Sequence, residues 1–225
     1  MVGEGVYHSC GCQSVYKNAT KTLCGRDVST WKGRSSYKTK FYTQETWWNM
    51  RDSSAQVNWT RCVWFPMVTP RFAFIAWLAL QNRLSTMDRI SNWCQADTTC
   101  VLCKKEVQSR NHLFFKCSYS AHLWSYLTGG MLGVHYSEDW SSIITLITGG
   151  SLDRRKLYCV RYAFHAAVYA IWRERNGVKH GEKVLAMSVL KKLTEKGVRN
   201  KLGLVDKKGR RGMENVLQFW FQMRG

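Results

Sequence analysis

The sequence predicts a mainly α fold, a helical module pinned by one small metal site and followed by long amphipathic basic helices. Three observations predict it. Apolar residues recur every three or four positions over long segments, most clearly from Leu157 to Ile171. No segment shows apolar–polar alternation of comparable strength. Finally, Cys100-x2-Cys103-x8-His112-x4-Cys117 gathers four soft or borderline ligands within eighteen residues. The leading pair has the spacing that lets two thiolates from one tight turn reach a single Zn²⁺, and His112 and Cys117 complete the tetrahedron. Four protein ligands leave no open coordination position, so the expected ion is structural, one per chain.

Taken in order, residues 1–40 are rich in Gly, Ser, Thr and Lys with little periodicity and are expected to be a loosely ordered arm. His8, Cys10, Cys12 and Cys24 within it are not expected to hold a second metal, because Cys-x-Cys is a strained spacing for a knuckle. A module over residues 41–130 comes next. Thr43 caps a helix through Glu45, Trp47, Trp48 and Met50, with the acidic residue in the favoured first turn. Trp59, Val63 and Trp64 lie in a short segment ended by Pro66 and Pro70. The most apolar helix is expected over Arg71–Leu84, with Phe74 and Trp77 deeply buried. Ser85 caps a short helix reaching Trp93, with Asp88 three residues on. Cys94 is read as a small buried apolar residue. After Cys117, Ser118 or Ser120 caps a helix through Leu123, Trp124 and Leu127 that stops at Gly129-Gly130. His122 is a helix-surface residue, because a ligand role there would displace His112.

A helical C-terminal region is expected over residues 131–205. It comprises a helix of about 137–147 ending at Gly149-Gly150, then the longest helix over 153–175. Leu157, Val160, Phe164, Ala167, Val168 and Ile171 form the buried stripe of the latter, with Arg155, Arg161, Arg173 and Arg175 off it. A last amphipathic helix over 184–202 has Leu185, Val189 and Leu193 in line and Lys191, Lys192, Lys196 and Arg199 elsewhere. Residues 206–225 are a basic and aromatic tail.

The formal net charge of +19 is large for 225 residues and points to a polyanion, nucleic acid before an anionic membrane surface. The charge is uneven: residues 151–225 hold 18 Lys/Arg against 6 Asp/Glu, and residues 46–150 only 9 against 6. Nine cysteines is an odd number. The start Met1-Val2-Gly3-Glu4-Gly5 has neither a basic and apolar leader nor a glycine at position 2, and no window approaches a membrane span. The cysteines are therefore expected to be reduced, metal-bound or buried in an intracellular protein. Lys207-Lys-Gly-Arg-Arg211 is compatible with nuclear import, which favours nucleus over cytoplasm.

Several blocks together resemble a known module. Trp64-Phe-Pro-Met-Val-Thr-Pro-Arg-Phe-Ala-Phe-Ile-Ala-Trp77, Asn82-Arg-Leu-Ser-Thr-Met-Asp-Arg-Ile90, Cys100-Val-Leu-Cys103, Gln108-Ser-Arg-Asn-His-Leu-Phe-Phe-Lys-Cys117 and Trp124 are similar to the reverse-transcriptase zinc-binding domain of plant LINE-type (non-LTR) retroelements. Ala170-Ile-Trp-Arg-Glu-Arg-Asn176 is similar to the segment that commonly follows it. The resemblance covers roughly residues 40–180 and implies a zinc-stabilised helical module that works with nucleic acid. It carries the metal ligands onto Cys100, Cys103, His112 and Cys117, the set the spacing also gives. One departure is Gln108, where the family usually has Glu, and the loss of that carboxylate is expected to weaken a hydrogen bond to the zinc histidine.

Polymerase chemistry needs paired acidic residues for two Mg²⁺ ions. The seven aspartates here are scattered, with no Asp-Asp. The expected function is thus a non-enzymatic nucleic-acid-binding zinc module, a detached piece of a retroelement protein or a gene derived from one. Its expected partners are RNA or DNA, with a reverse-transcriptase polypeptide as a further candidate, and no membrane or small-molecule substrate. Lys104, Lys105, Arg110 and Lys116 near the zinc, and Lys191, Lys192, Lys196 and Arg199 in the last long helix, are the candidate phosphate contacts. Phe114, Phe115 or Tyr119 would stack on unpaired bases if exposed, but Leu113, Phe114 and Phe115 are better read as the zinc site's own core. The alternative is a structural or protein-interaction remnant without useful nucleic-acid affinity. A hydrolytic zinc enzyme would need an open metal position and a neighbouring base, and Glu106 is the only Glu among the ligands.

Overall fold

In the computed structural model, residues 30–32, 36–50, 57–95 and 97–224 are described. The arm's His8, Cys10, Cys12 and Cys24 lie outside them. The chain divides into residues 1–55 and 56–225. In the first unit, β1 (Trp31–Lys32) pairs antiparallel with β2 (Tyr37–Lys38), Trp31 opposite Lys38. α1 (Thr43–Met50) follows, with Glu45 in its first turn paired to Lys38. Trp47, Trp48 and Met50 are exposed.

The second unit is built around one helix. α2 (Thr60–Val63), α3 (Pro70–Leu80), α4 (Met87–Ile90), α5 (Ser118–Leu132), α6 (Trp140–Thr148), α7 (Arg154–Lys179), α8 (Met187–Lys207) and α9 (Val216–Gln222) follow in order. α7 begins where expected, because the Asp153 carboxylate accepts from the N–H groups of Arg155 and Lys156, satisfying two orphan donors. It is buried almost all round from Tyr158 to Val168, and α3, α5, α6, α8 and α9 pack against it. Its centre also holds a buried polar contact: His165 Nε2 lies 2.9 Å from the Cys62 carbonyl of α2, while Nδ1 has no hydrogen-bond partner among the described residues. Burial drives the His165 pKa down to about 4.

Several helices differ from the sequence expectation, each for a local reason. α3 meets α7 through Ala73, Ala76 and Ala79, whose small side chains let the two backbones approach closely. Phe74 is therefore 52% exposed and Trp77 only half-buried, not the deep core residues expected. α3 also stops before Leu84. Asn82 takes the left-handed conformation (φ 53°) and the Arg83 N–H reaches back to the Leu78 carbonyl at 2.8 Å, a helix-ending motif. α4 is flanked by Thr86 rather than Ser85. Trp93 and Cys94, just beyond it, are exposed, so Cys94 is not the buried residue expected.

α5 runs through Gly129-Gly130 and ends at Gly133 (φ 50°). Gly130 serves packing instead: a Cβ there would meet the Met223 carbonyl at 3.0 Å and Arg224 Cα at 3.3 Å. The tail thus lies directly on α5, and Trp220 of α9 is fully buried. Asp206 at the end of α8 accepts from the Val216 and Leu217 N–H groups and starts α9. α8 buries Leu190, Thr194, Val198 and Leu202, one position round from the expected line, leaving Val189 and Leu193 exposed. The apolar residues of α8 form more than one line, and the sequence alone does not select between them.

Candidate metal centre

The knuckle is a short hairpin. Thr99 and Val107 form an antiparallel bridge, Cys100 N–H donates to the Glu106 carbonyl at 2.7 Å, and Gln108 N–H donates to the Thr98 carbonyl at 2.8 Å. Between them the chain turns so that Lys104 N–H reaches the Cys100 carbonyl, with Lys104 in the left-handed region (φ 58°). That turn brings Cys100 and Cys103 to one side. The other two ligands flank a wide π-helical turn, His112–Lys116, closed by the Cys117 N–H on the His112 carbonyl at 2.7 Å. Cys117 then starts α5. The wide turn thus puts His112 and Cys117 on the same side although they are five residues apart in sequence.

The four donor atoms lie within 4.8 Å of one another. Cys100 Sγ is 3.9 Å from Cys117 Sγ, and Cys103 Sγ is 3.3 Å from His112 Nε2. Tetrahedral zinc with Zn–S and Zn–N bonds of about 2.3 and 2.0 Å requires ligand–ligand edges of roughly 3.5–3.8 Å. The donor set fits a zinc site in both chemistry and spacing. Cys100, Cys117 and His112 are buried and Cys103 is half-buried, so no wide approach to the ion is left. The Cys117 thiol, backed by the backbone N–H groups of Cys103 and Leu102 and against the cost of burial, draws the Cys100 pKa down, while Cys117 is raised. A pair that gives up its first proton readily is a ready thiolate donor.

The surroundings correct one sequence expectation and supply a residue that the sequence reading placed wrongly. Position 108 does not face the histidine. Glu106 does, with Oε2 3.0 Å from His112 Nδ1 at ion-pair distance, though not aligned as a hydrogen bond. Gln108, fully buried, turns its amide Nε2 towards Cys100 Sγ at 3.8 Å and accepts from Arg175 Nε through Oε1 at 2.9 Å. Arg175, expected off the buried stripe of α7, is 2% exposed. Its guanidinium also donates to the Ser85 carbonyl (2.8 Å) and to Asn176 Oδ1 (2.9 Å). Three thiolates and a neutral imidazole would leave a bound Zn²⁺ centre with a net charge of −1, which the buried cation at the other end of Gln108 would oppose. The departure of an arginine from the apolar helical pattern was the available signal.

The remaining candidates separate into two groups. Leu113, Phe114 and Phe115 are buried; Phe115 packs on Trp124, Trp140 and Phe164, so these rings form the centre's own core and do not meet bases. Tyr119 is half-buried and donates to the Leu185 carbonyl. Arg110 is committed internally, 4.6 Å over the Trp140 ring, and Lys116 pairs with Asp139 at 3.3 Å. Lys104, Lys105, Lys192, Lys196 and Arg199 are exposed. Lys191 lies over Tyr126 and Arg199 over Phe221, 5.1 Å each. His122 is exposed, as expected of a helix-surface residue. Among the described residues, no helix is long and apolar enough to cross a membrane.

Comparison with known proteins agrees with this geometry. Residues 29–124 match the family described as zinc-binding in reverse transcriptase, a span that holds all four candidate ligands. The match is to a zinc-binding domain, and no catalytic domain is identified. Neither the curated proteins nor the solved structures give a match.

Proposed function

We propose that the chain is a non-enzymatic nucleic-acid-binding module of a retroelement protein, in which Zn²⁺ held by Cys100, Cys103, His112 and Cys117 fixes the fold and basic helices supply the affinity. The observation that carries the binding reading is the outer face of α8. Lys192, Lys196 and Arg199 follow one another at helical spacing, all exposed, and none has a carboxylate within 4.0 Å among the described residues. Exposed cations in a row, of which only Arg199 feels a longer-range attraction to Glu195, suit a phosphate backbone, whose counterions they would release. Lys104 and Lys105 on the knuckle offer a smaller second contact, and the exposed ring of Phe74 beside Trp77 offers a stacking surface for an unpaired base. Exposed Lys207, Lys208 and Arg211 agree with a nuclear location.

The test is an anisotropy titration against single- and double-stranded RNA and DNA at two salt concentrations. Changing Lys192, Lys196 and Arg199 together to Gln should weaken binding and flatten the slope of log K against log[salt] by ~0.7–0.9 for each phosphate no longer neutralised. Unchanged affinity and slope would leave the alternative, a structural or protein-interaction remnant.

A further inference from the structure

Away from the metal centre and the α8 face, a cavity of about 130 Å³ opens between the start of α7, the segment after α2 and the turn joining α8 to α9. Arg154, Arg161 and Arg210 line it, with Phe65, Tyr158 and Met213. Three features set it apart from an ordinary surface dimple. The first is unneutralised charge: none of the three guanidinium groups has a carboxylate within 4.0 Å among the described residues. Arg161 is tied only through Nε, which donates to the Ile147 carbonyl at 2.8 Å and leaves its other N–H groups free. Glu214, the nearby acid, accepts from the Gly212 N–H and attracts Arg154 only at longer range.

The second feature is Tyr158. It is 6% exposed, and its buried hydroxyl has no hydrogen-bond partner. A buried hydroxyl left unpaired costs about 1–3 kcal/mol, so a native site with one is suited to an incoming acceptor. The third is the turn itself. Gly209 and Gly212 both have positive φ (57° and 76°), which folds Arg210 and Met213 back over α7. A Cβ at Gly212 would meet the Arg154 guanidinium at 2.9 Å and push it aside, and the positive φ itself favours glycine there.

From these features we infer that this cavity is a binding site for a dianionic phosphate group. Three cations and a tyrosine lining one cavity, with Arg210 close enough to act on the Tyr158 hydroxyl, match a dianion with several acceptor oxygens better than a singly charged carboxylate. Apolar walls strengthen each charge contact by keeping water away. The volume takes one such group and not a whole nucleotide, since sites for larger ligands run to several hundred Å³. Two sources share this chemistry: free inorganic phosphate, and the 5′-phosphate end of a nucleic-acid strand. The second source rests on the nucleic-acid reading above; the first does not.

The test uses the full chain purified with zinc. Inorganic phosphate is titrated calorimetrically, and single strands of one sequence bearing 5′-phosphate or 5′-hydroxyl are compared by anisotropy. Arg210→Gln, on a turn, and Tyr158→Phe, which deletes only the hydroxyl, should each weaken the phosphate-dependent signal by about tenfold. Lys183→Gln, exposed and outside the cavity lining, should leave phosphate affinity unchanged. Discrimination between the two strands that vanishes in Arg210→Gln identifies a strand end; phosphate binding that Arg210→Gln weakens, with no strand discrimination, identifies the free ion. The inference is overturned if neither phosphate nor the 5′-phosphate strand binds in an Arg210-dependent way. General binding of both strands through α8 would then still stand.

Discussion

Replacing Arg175 with Met probes the link between the metal centre and the helical core. Met has similar length and fills the site beside Trp172, but it donates nothing. The Ser85 carbonyl and Gln108 Oε1, now satisfied at 2.8 and 2.9 Å, would be left without that donor. Gln108 is fully buried, so its orphaned acceptor costs about 1–3 kcal/mol, whereas Ser85 is exposed and its carbonyl can turn to water; relief from burying the guanidinium offsets part of the loss. The expected loss is about 1–3 kcal/mol, read from urea unfolding of the zinc-loaded protein. A double-mutant cycle with Gln108→Met sharpens the test, because both changes remove the same Arg175–Gln108 bond. The coupling should be at least about 1 kcal/mol. An Arg175→Met variant within about 0.5 kcal/mol of the parent, or strictly additive effects, would refute the idea that this pair supports the centre.

Other outcomes follow from particular contacts. His165 is buried with its pKa lowered from 6.5 to about 4, so below pH 6.5 the unfolded chain binds a proton that the folded chain refuses. Stability should fall as pH drops from 6.5 to 4, by roughly 3 kcal/mol from this group, and His165→Gln should lose that component of the pH profile measured by chemical denaturation. Gly130→Ala should destabilise in thermal melts despite alanine's better helix propensity, because its Cβ would press on the Met223–Arg224 backbone; a gain in stability would show that the tail does not dock there. Ala76→Leu should cost about 1–3 kcal/mol by overpacking the α3–α7 contact, whereas Phe74→Ala, on the exposed side, should cost less than about 1 kcal/mol. The reverse order in denaturation would restore the deep burial of Phe74 that the sequence suggested.

The helical class, the four-ligand cluster and the start of α7 are legible because each depends on local chemistry: ligand spacing, or an Asp whose side chain accepts from the next turn; α6 starts at Trp140 behind Asp139, not at Ser137 as expected. What sequence could not show depends on partners far along the chain. Apolarity marked α3 as core, but the facing helix selects Ala73, Ala76 and Ala79 over Phe74. Gly129-Gly130 has the composition of a helix stop, yet Gly130 makes room for residues 223–224, almost a hundred positions away. Gln108 reads as a weakened histidine support, and its true partner, Arg175, lies 67 residues on.

That a single structural zinc centre organises the module is tested most directly by metal analysis of the purified chain alongside Cys103→Ala and His112→Ala. The parent should carry one zinc per chain, and both variants should lose it. Chelation should also change Trp124 emission, since Trp124 packs against Phe115 between His112 and Cys117. A parent without zinc, or zinc retained in full by Cys103→Ala, would contradict the claim.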